Sequence, residues 1–148
     1  MSQENVELVK SVHPPSGTDL TRLFSRESEE SGWFQALASA LAPDFEAVGG
    51  DLGGAGLVLP ARGPEGLMGA WGEWLQAWDV YLTEVEEFID AGENRVVVLV
   101  RDHGRLRGSD ADVEQIGGSV WTVRDGQIAR IEFHTSRANA LIAAGLSE

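Results

Sequence analysis

The chain has 148 residues, the size of one ordinary domain, and 43% of them are hydrophobic, enough to fill a single core. The chain contains 11 Lys and Arg residues and 24 Asp and Glu residues, which gives a formal net charge of -13. A chain this acidic repels phosphate backbones and anionic lipid, which argues against nucleic acid and membrane surfaces as partners. We therefore expect a single domain over residues 1–148 with no nucleic-acid or membrane partner.

The sequence also carries signals about its compartment. The longest aliphatic run, Val96 to Val100, is far shorter than the roughly 20 residues that cross a bilayer. The stretch from Met1 to Lys10 holds two glutamates and no apolar segment of the kind found in secretory signals. The lack of cysteine removes disulfides, thiolate nucleophiles and Cys-based metal sites. These features predict a cytoplasmic protein.

Helices dominate the first part of the chain. Ser2 and either Thr18 or Asp19 are suitable N-caps, and the prolines after His13 end the first helix. A glycine-rich stretch over 49–56 lacks the strand-then-helix setting of a phosphate cradle, so we expect a surface loop there. The predicted elements are helices over residues 3–12, 18–30 and 31–41 and a short strand over 44–48.

A tryptophan-rich helix comes next. A proline suits its first turn, and apolar residues then recur at helical spacing up to Asp79. Trp71, Trp74 and Trp78 fall on one face of this helix. Large aromatic side chains dominate protein cores, so packing against a sheet is the expected role of that face, with ligand stacking as the alternative.

From Tyr81 onward the hydrophobic period changes to two, which indicates strands. Turn signals at 91–94 and at Asp125-Gly126 predict hairpins, so consecutive strands are expected to pair antiparallel. Ser136 and Gly145 are expected to cap and end a final helix. The predicted strands cover residues 81–90, 95–103, 112–123 and 127–135. This order predicts an α+β fold whose curved sheet wraps a helix and leaves a conical cavity, the expected place for a ligand.

Several strings along the chain, in this order, resemble the SnoaL-like branch of the nuclear-transport-factor-2-like superfamily, which also holds ketosteroid-isomerase-like proteins. The strings are Ser2–Val9, Ala42–Asp44, Arg62–Gly66, Trp74–Asp79, Glu86–Gly92, Val120–Ile128 and the ending Arg137–Leu141 with Ala144–Leu146. The resemblance implies a cone-shaped antiparallel or mixed sheet wrapped around N-terminal helices, the cystatin-like roll. It also implies a pocket in the cone and a homodimer formed through the exposed sheet face.

Ketosteroid isomerases provide the first catalytic template that the resemblance implies. They use a Tyr on the first helix and two Asp residues on strands. The matching positions here are held by His13, by Val48 or Gly49, and by Gly118. Val and Gly can neither take nor donate a proton, so this activity is not expected. His13 is kept as a candidate catalytic residue that either faces the pocket or simply ends the first helix.

Epoxide hydrolases of the limonene type provide a second template. Alignment on Val120 and Trp121 puts Asp112 and Glu114 on an acidic strand, and puts Phe133 where the second Asp is needed. This template is therefore only half present, because one carboxylate orients a water poorly. Glu114 remains available as a general base.

Polyketide cyclases provide a third template, in which an Asp and a His do acid-base work. His103 or His134 would have to meet one of the two carboxylates, although a surface turn and a solvent or dimer face are their expected locations. Glu114 alternates with Ile116 and Val120 on an apolar face, so it is predicted to line the pocket with a raised pKa.

Three functions remain open. The first is the binding of a small hydrophobic molecule in an apolar pocket, the second is a cofactor-independent isomerase, cyclase or epoxide hydrolase that uses Glu114 as acid or base, and the third is a non-catalytic structural dimer. The three histidines lack HxxxH or HxH spacing, so neither a metal nor a cofactor is predicted. The predicted pocket residues are Trp74, Trp78, Tyr81, Asp112 and Phe133.

Overall fold

The computed structural model of the chain describes residues 2–13, 18–23, 32–49, 61–134 and 136–146. Helices and short strands come first and four long strands follow, which confirms the predicted α+β class. The described helices are α1 Ser2–Ser11, α2 Leu20–Leu23, α3 Gly32–Ala40, α4 Gly63–Leu75 and α5 Arg137–Ala143. The described strands are β1 Thr18–Asp19, β2 Leu41–Val48, β3 Ala61–Arg62, β4 Trp78–Gly92, β5 Arg95–Leu106, β6 Asp112–Arg124 and β7 Gln127–His134.

The described strands form one mixed sheet in the order β1-β4-β5-β6-β7-β2-β3. The strands β4 to β7 pair antiparallel with their neighbours in sequence, and β2 pairs parallel with β7. Glu93 and Asn94 have positive φ in the turn after β4, as do Asp125 and Gly126 in the turn after β6. Two successive positive φ values are typical of the tight hairpin turn whose twist matches the strands, so the turn signals predicted both hairpins correctly.

Helices α1, α3 and α4 pack on one side of the sheet, which we call the inner face. Val9 of α1 and Leu67 of α4 contact a core that includes Val96, Val98 and Trp121 of the sheet. Three register shifts along β4 mark β-bulges, which bend a strand and increase its twist. The sheet therefore curves around these helices.

Helix α5 packs on the opposite side, the outer face. Val97 and Val120 of the sheet are buried against Ala140 of this helix. A Cβ on Gly118 would lie 2.9 Å from the Cβ of Ala140, so glycine at this position lets the helix approach the sheet. The predicted cap is confirmed, because Ser136 Oγ accepts the backbone N–H of Asn139 at 3.0 Å. Both faces of the sheet are consequently covered in this region.

Two predicted boundaries differ from the structure in the first half of the chain. Thr18 and Asp19 form the short strand β1 rather than the start of a helix, because they pair with β4. Asp19 still caps α2, since its Oδ1 accepts the backbone N–H of Thr21 at 3.0 Å. The rest of the predicted second helix, 24–30, and nearly all of the glycine-rich loop, 50–56, lie outside the described residues.

Two further predicted boundaries, next to strands of the sheet, differ from the structure. Helix α4 ends at Leu75, so Trp78 belongs to β4 and not to the helix. Strand β2 begins at Leu41, earlier than predicted, and runs through Pro43 next to a register shift in its pairing with β7. Proline is tolerated at such an irregularity because no ladder hydrogen bond from its nitrogen is required. No helix in the described part of the chain is long and apolar enough to span a membrane.

Candidate functional site

A group of polar side chains meets on the inner face where β4, β5 and β6 run side by side. Thr83 pairs with Asp102, and Asp102 pairs with Gln115, so the three side chains share one face. Tyr81 Oη donates to Asp102 Oδ2 at 2.7 Å, and Thr83 Oγ1 donates to Asp102 Oδ1. We call Tyr81, Thr83, Asp102 and Gln115 the Asp102 cluster. Its centre is a carboxyl group held by two neutral hydroxyls.

Burial sets the protonation behaviour of this cluster. It raises the pKa of Asp102, and the hydrogen bonds from Thr83 and Tyr81 and the nearby His103 only partly oppose that shift. Burial also raises the pKa of the Tyr81 hydroxyl, with the adjacent Asp102 carboxylate as the next cause. Tyr81 therefore stays a protonated donor, and Asp102 takes up a proton more readily than a solvated aspartate.

Aromatic packing fixes the position of Tyr81. The ring centroids of Trp74 and Tyr81 lie 4.5 Å apart, and those of Trp78 and Tyr81 lie 4.9 Å apart. Both pairs of rings are in edge-to-face contact. A Cβ on Gly104 would lie 2.6 Å from the Trp78 ring and 2.9 Å from the Tyr81 ring. Only glycine at this position leaves the two rings room on β5. The backbone N–H of Tyr81 also donates to Asp19 Oδ1 at 3.2 Å.

The inner face is open beside the Asp102 cluster. Val96 and Val98 of β5 are 0% exposed, whereas Val100, two residues nearer to Asp102, is only partly buried. Trp71 and Phe133 are also partly buried, and their ring centroids lie 6.2 Å apart. We call the Asp102 cluster together with Val100, Trp71 and Phe133 the open end of the inner face. Phe133 lies level with Val98, about 13 Å along the strands from Asp102, so this surface is elongated. It combines an apolar wall with a carboxyl group.

His13 lies at the other end of the inner face, which we call the closed end. Its Nδ1 is 2.7 Å from the carbonyl oxygen of Val9, and since a carbonyl only accepts, Nδ1 carries the proton. The imidazole packs against Phe88 and Trp121, with ring centroids 5.3 and 4.8 Å away. Burial lowers the pKa of His13 more than the hydrogen bond to Val9 raises it. His13 is thus a neutral residue that satisfies a carbonyl at the end of α1, and its catalytic role stays a prediction.

The predicted position of Glu114 and Asp112 on the inner face is wrong. Glu114 pairs with His103, and Asp112 pairs with Arg105, all on the outer face. The Glu114 side chain is 47% exposed, and its Oε1 lies 3.2 Å from Nη1 of Arg101. The interpretation failed because α5 buries Val120 on the outer face, so the apolar alternation of β6 does not mark the pocket side. A catalytic role for Glu114 stays a prediction without this geometric basis.

The other predicted pocket residues lie on the inner face. Trp74, Trp78 and Tyr81 pack together, and Phe133 pairs with Ser119 beside the core. The residue that sequence reasoning missed is Asp102. Its signal is present in the sequence, because Asp102 continues the even-numbered side chains of β5 from Val96 to Val100 and is the first charged residue in that series.

A separate cavity of about 430 Å³ lies beyond the closed end, between α1 and the two hairpin turns. Glu4, Asn5, Asn94 and Asp125 are among the residues that line it, and Asn5 Nδ2 donates to Asn94 Oδ1 at 3.1 Å. Both carboxylates are exposed, so this cavity offers no buried acid or base. Within the described ranges no three His, Asp or Glu side chains are grouped to hold a metal ion.

A curved mixed sheet that wraps around helices is the architecture of nuclear-transport-factor-2-like proteins. The family model of the SnoaL-like domain matches residues 21–131, more than half of the chain. The chain belongs to the SnoaL-like family, which confirms the resemblance identified in the sequence. A comparison with curated proteins found no match.

Solved structures support the same fold. TerC, co-crystallised with polyporic acid, is 20% identical, with 90% of this chain and 92% of that chain covered and a TM-score of 0.66. A putative SnoaL-like polyketide cyclase from Jannaschia sp. CCS1 is 20% identical, with 96% and 91% covered and a TM-score of 0.65. A hypothetical protein with a ketosteroid-isomerase-like fold from Catenulispora acidiphila, in complex with trimethylamine, is 18% identical, with 76% and 82% covered and a TM-score of 0.56. At these identities the likeness establishes the fold alone.

Proposed function

We propose that this protein binds a small, largely apolar molecule at the open end of the inner face. The observation that carries the proposal is the partial exposure of Trp71, Val100 and Phe133 on the inner face that also carries Asp102, with Val100 two residues from Asp102 on the same strand. Binding sites for small molecules have this composition, an apolar wall with a few convergent polar groups that fix the orientation of the ligand.

The energetics favour such an occupant. Each 100 Å² of apolar surface that a ligand covers contributes roughly 2.5 kcal/mol. The aromatic side chains are held in place by neighbours, so they lose little conformational freedom when a ligand binds. The Asp102 cluster is likewise held by hydrogen bonds before any ligand arrives. A prearranged apolar wall with one polar anchor is therefore suited to a ligand with an apolar body and one polar group.

Two of the three similar structures described above contain small molecules, polyporic acid in TerC and trimethylamine in the protein from Catenulispora acidiphila. These complexes support the proposal because they place ligands on the same fold. Their low identity to this chain leaves the ligand of this protein to be argued from its own residues.

The test fills the open end without touching the closed end. Val100→Phe adds bulk at the partly buried wall, and Ile142→Phe adds the same bulk in α5, where Ile142 is 68% exposed. We expect polycyclic and terpenoid ligands to raise the melting temperature of the wild type and of Ile142→Phe, and not that of Val100→Phe. Circular dichroism checks that both variants fold, and Phe133→Ala replaces Val100→Phe if the latter does not. Equal binding by both variants, or no shift in the wild type from any ligand, would refute the proposal.

Acid-base chemistry on the bound molecule is a second candidate function, favoured by the raised pKa of Asp102 on the inner face. In its ionised form Asp102 can accept a proton from a ligand, and the O–H of Tyr81, which donates to Asp102, stabilises that form. The proposed acid or base is therefore Asp102, whereas the sequence predicted Glu114.

A Kemp elimination separates these two carboxylates. The base removes the ring C–H proton of 5-nitrobenzisoxazole, the C–N bond becomes a nitrile, and the N–O bond breaks to give a phenolate whose absorbance is followed. We expect Asp102→Asn to lose the rate above background and Glu114→Gln to keep it. The reverse result would support the role that the sequence predicted for Glu114, and no rate in the wild type would leave binding as the function.

We also propose a homodimer through the outer face. An exposed apolar side chain, Ile116, lies there among the charged groups Arg101, His103 and Glu114. Light scattering during gel filtration tests this assembly. We expect the mass of a dimer for the wild type and of a monomer for Ile116→Glu, and a monomeric wild type would rule the dimer out.

A further inference from the structure

We propose that the ligand of the open end is an organic cation, an apolar amine whose ammonium group binds Asp102 while its hydrocarbon part extends over Val100 toward Trp71 and Phe133. This inference rests on the proposed function and names its ligand class. It is carried by the distribution of charge on the described inner face and by the hydrogen bonds that Asp102 makes.

On the described inner face no cationic side chain forms an ion pair with Asp102. The neighbours of Asp102 on its own strand, Arg101 and His103, point to the outer face because side chains alternate along a strand, and His103 acts on Asp102 only through space. Its cross-strand partners Thr83 and Gln115 are uncharged. Asp19, which accepts the backbone N–H of Tyr81, supplies no positive charge.

One cation of the described chain that contacts the inner face, Lys10, lies at the closed end. Lys10 Nζ is 5.6 Å from the centroid of the Phe88 ring. Phe88 pairs with Val98, which is four residues from Asp102 along β5, about 13 Å at the usual rise of a strand. Salt in the physiological range screens exposed charges over roughly 8 Å, so Lys10 does little for Asp102. A cationic ligand would supply the missing charge.

Asp102 also has unused hydrogen-bonding capacity. An ionised carboxylate has about four acceptor sites. Tyr81 and Thr83 each donate one hydrogen bond, and both donors are neutral and come from β4. About two acceptor sites therefore remain for donors brought by a ligand, which suits the several N–H groups of an ammonium. Hydrogen bonds between two charged groups are about twice as strong as those between neutral groups.

The surroundings favour positive charge by a further effect. The net charge of -13 raises the local concentration of cations around the whole molecule. An anionic ligand would meet the opposite conditions at the same place.

The main competing ligand class is a neutral molecule with a carbonyl or ether oxygen. Such a ligand would require the protonated form of Asp102, which donates a hydrogen bond, so its affinity would rise as pH falls. An ammonium requires the ionised form, so its affinity rises with pH until Asp102 is fully ionised and then stays level. The two classes thus predict pH dependences of opposite sign.

The experiment compares three ligands of one shape by isothermal titration calorimetry: 1-naphthylmethylamine, 1-naphthylmethanol and 1-naphthoic acid. We expect the amine to bind the wild type roughly tenfold more tightly than the alcohol, the size of one charge-assisted hydrogen bond, and the acid to bind most weakly. The affinity of the amine should rise from pH 4 upward and then level off. This pH profile requires no variant, so it remains informative if a variant fails to fold.

Three substitutions assign the preference to one carboxylate. Asp102→Asn should bind amine and alcohol about equally and lose the pH dependence. Glu84→Gln removes an exposed carboxylate on the outer face, opposite Arg101, and should keep the preference for the amine and the pH dependence. His103→Gln should keep the rise of affinity with pH and move its midpoint upward, because His103 lowers the pKa of Asp102.

Each outcome decides between the inference and the function on which it rests. Equal binding of amine and alcohol by the wild type, or affinity for the amine that rises as pH falls, overturns the ligand class and leaves the pocket in place. A preference for the amine that survives in Asp102→Asn overturns the assignment to Asp102. If none of the three ligands binds, the proposed function fails together with the inference.

Discussion

The two ends of the inner face each hold a titratable group whose pKa is shifted by burial, yet they use it differently. His13 at the closed end donates to a carbonyl of its own helix and packs against Phe88 and Trp121. Asp102 at the open end accepts from two side-chain hydroxyls and has partly exposed apolar neighbours. Burial lowers the pKa of His13 and raises that of Asp102, because it disfavours the charged form of both groups.

The difference teaches where in this fold to look for function. At the closed end the chain itself uses the polar atoms, as when Trp121 Nε1 donates to Ser119 Oγ at 2.7 Å. At the open end Asp102 keeps acceptor capacity, and the wall beside it is not fully covered by the described chain. We therefore expect changes at the closed end to affect folding and changes at the open end to affect binding.

The largest expected effect is on stability at the closed end. Trp121 is 3% exposed, so Trp121→Ala should lower the free energy of unfolding by about 3–5 kcal/mol through lost packing and the cavity left behind. Trp71→Ala at the open end should cost roughly 1–3 kcal/mol, since that side chain is only partly buried. Urea denaturation measures both values. Equal losses would mean that the two ends are packed alike and would break the comparison.

Gly104→Ala should have the next largest effect, because the new Cβ would displace the rings of Trp78 and Tyr81. We expect a loss of about 1–3 kcal/mol from overpacking and weaker binding at the open end, since Tyr81 moves from Asp102. Gly69→Ala is the matched control: Gly69 lies in α4, and a Cβ there would have nothing within 4 Å, so alanine should stabilise the helix by about 0.5–1 kcal/mol. A Gly104→Ala variant as stable as the wild type would show that Tyr81 is not held by this close approach.

The sequence predicted the strands that form both ends, but it did not predict which side chains face inward. The alternation after Tyr81 and the two turn signals predicted β4 to β7 and their antiparallel order, because local backbone preferences act over a few residues. The inner and outer faces could not be assigned in the same way. The run from Val96 to Val100 is apolar at every position, because helices cover both faces of β5. The alternation of odd and even residues therefore does not show which face lines the pocket.

Asp102 was missed and Glu114 was favoured for this reason. On β6 the apolar set that includes Val120 faces α5, while Trp121 and Ser119 face the core. Which set faces inward depends on where α5 docks, a long-range contact that periodicity does not contain. Trp78 was assigned to a helix for a related reason, because its spacing from Trp74 fits a helical turn although pairing with Leu106 places it in β4.

The two titratable groups should give stability opposite dependences on pH. The pKa of His13 lies below its ordinary value of 6.5 in the folded protein, so as pH falls through 6.5 the unfolded chain takes up the proton first and stability is lost. The pKa of Asp102 lies above its ordinary value of 3.8, so as pH rises past 3.8 the unfolded chain releases the proton first and stability is again lost.

Two variants measure these contributions by urea denaturation across that pH range. The free energy of unfolding of the wild type minus that of His13→Phe should increase as pH rises toward 6.5 and then stay level. The same difference taken with Asp102→Asn should decrease as pH rises above 3.8. Slopes of the same sign would contradict the assignment of burial as the dominant cause at both ends.

The smallest expected effect on stability is that of Thr83→Val, which removes one donor to Asp102 and keeps the shape of the side chain. Since that hydrogen bond lowers the pKa of Asp102, its loss should raise the pKa further, as followed by carbon NMR of the carboxyl group, at a cost of about 1 kcal/mol or less. Ser119→Ala is its counterpart at the closed end, where a buried Trp121 N–H would lose its acceptor at a cost of about 1–2 kcal/mol. If the open end is adapted to binding, Thr83→Val should change mainly the pKa of Asp102, and Ser119→Ala should lower mainly the free energy of unfolding. The opposite pattern would contradict that view.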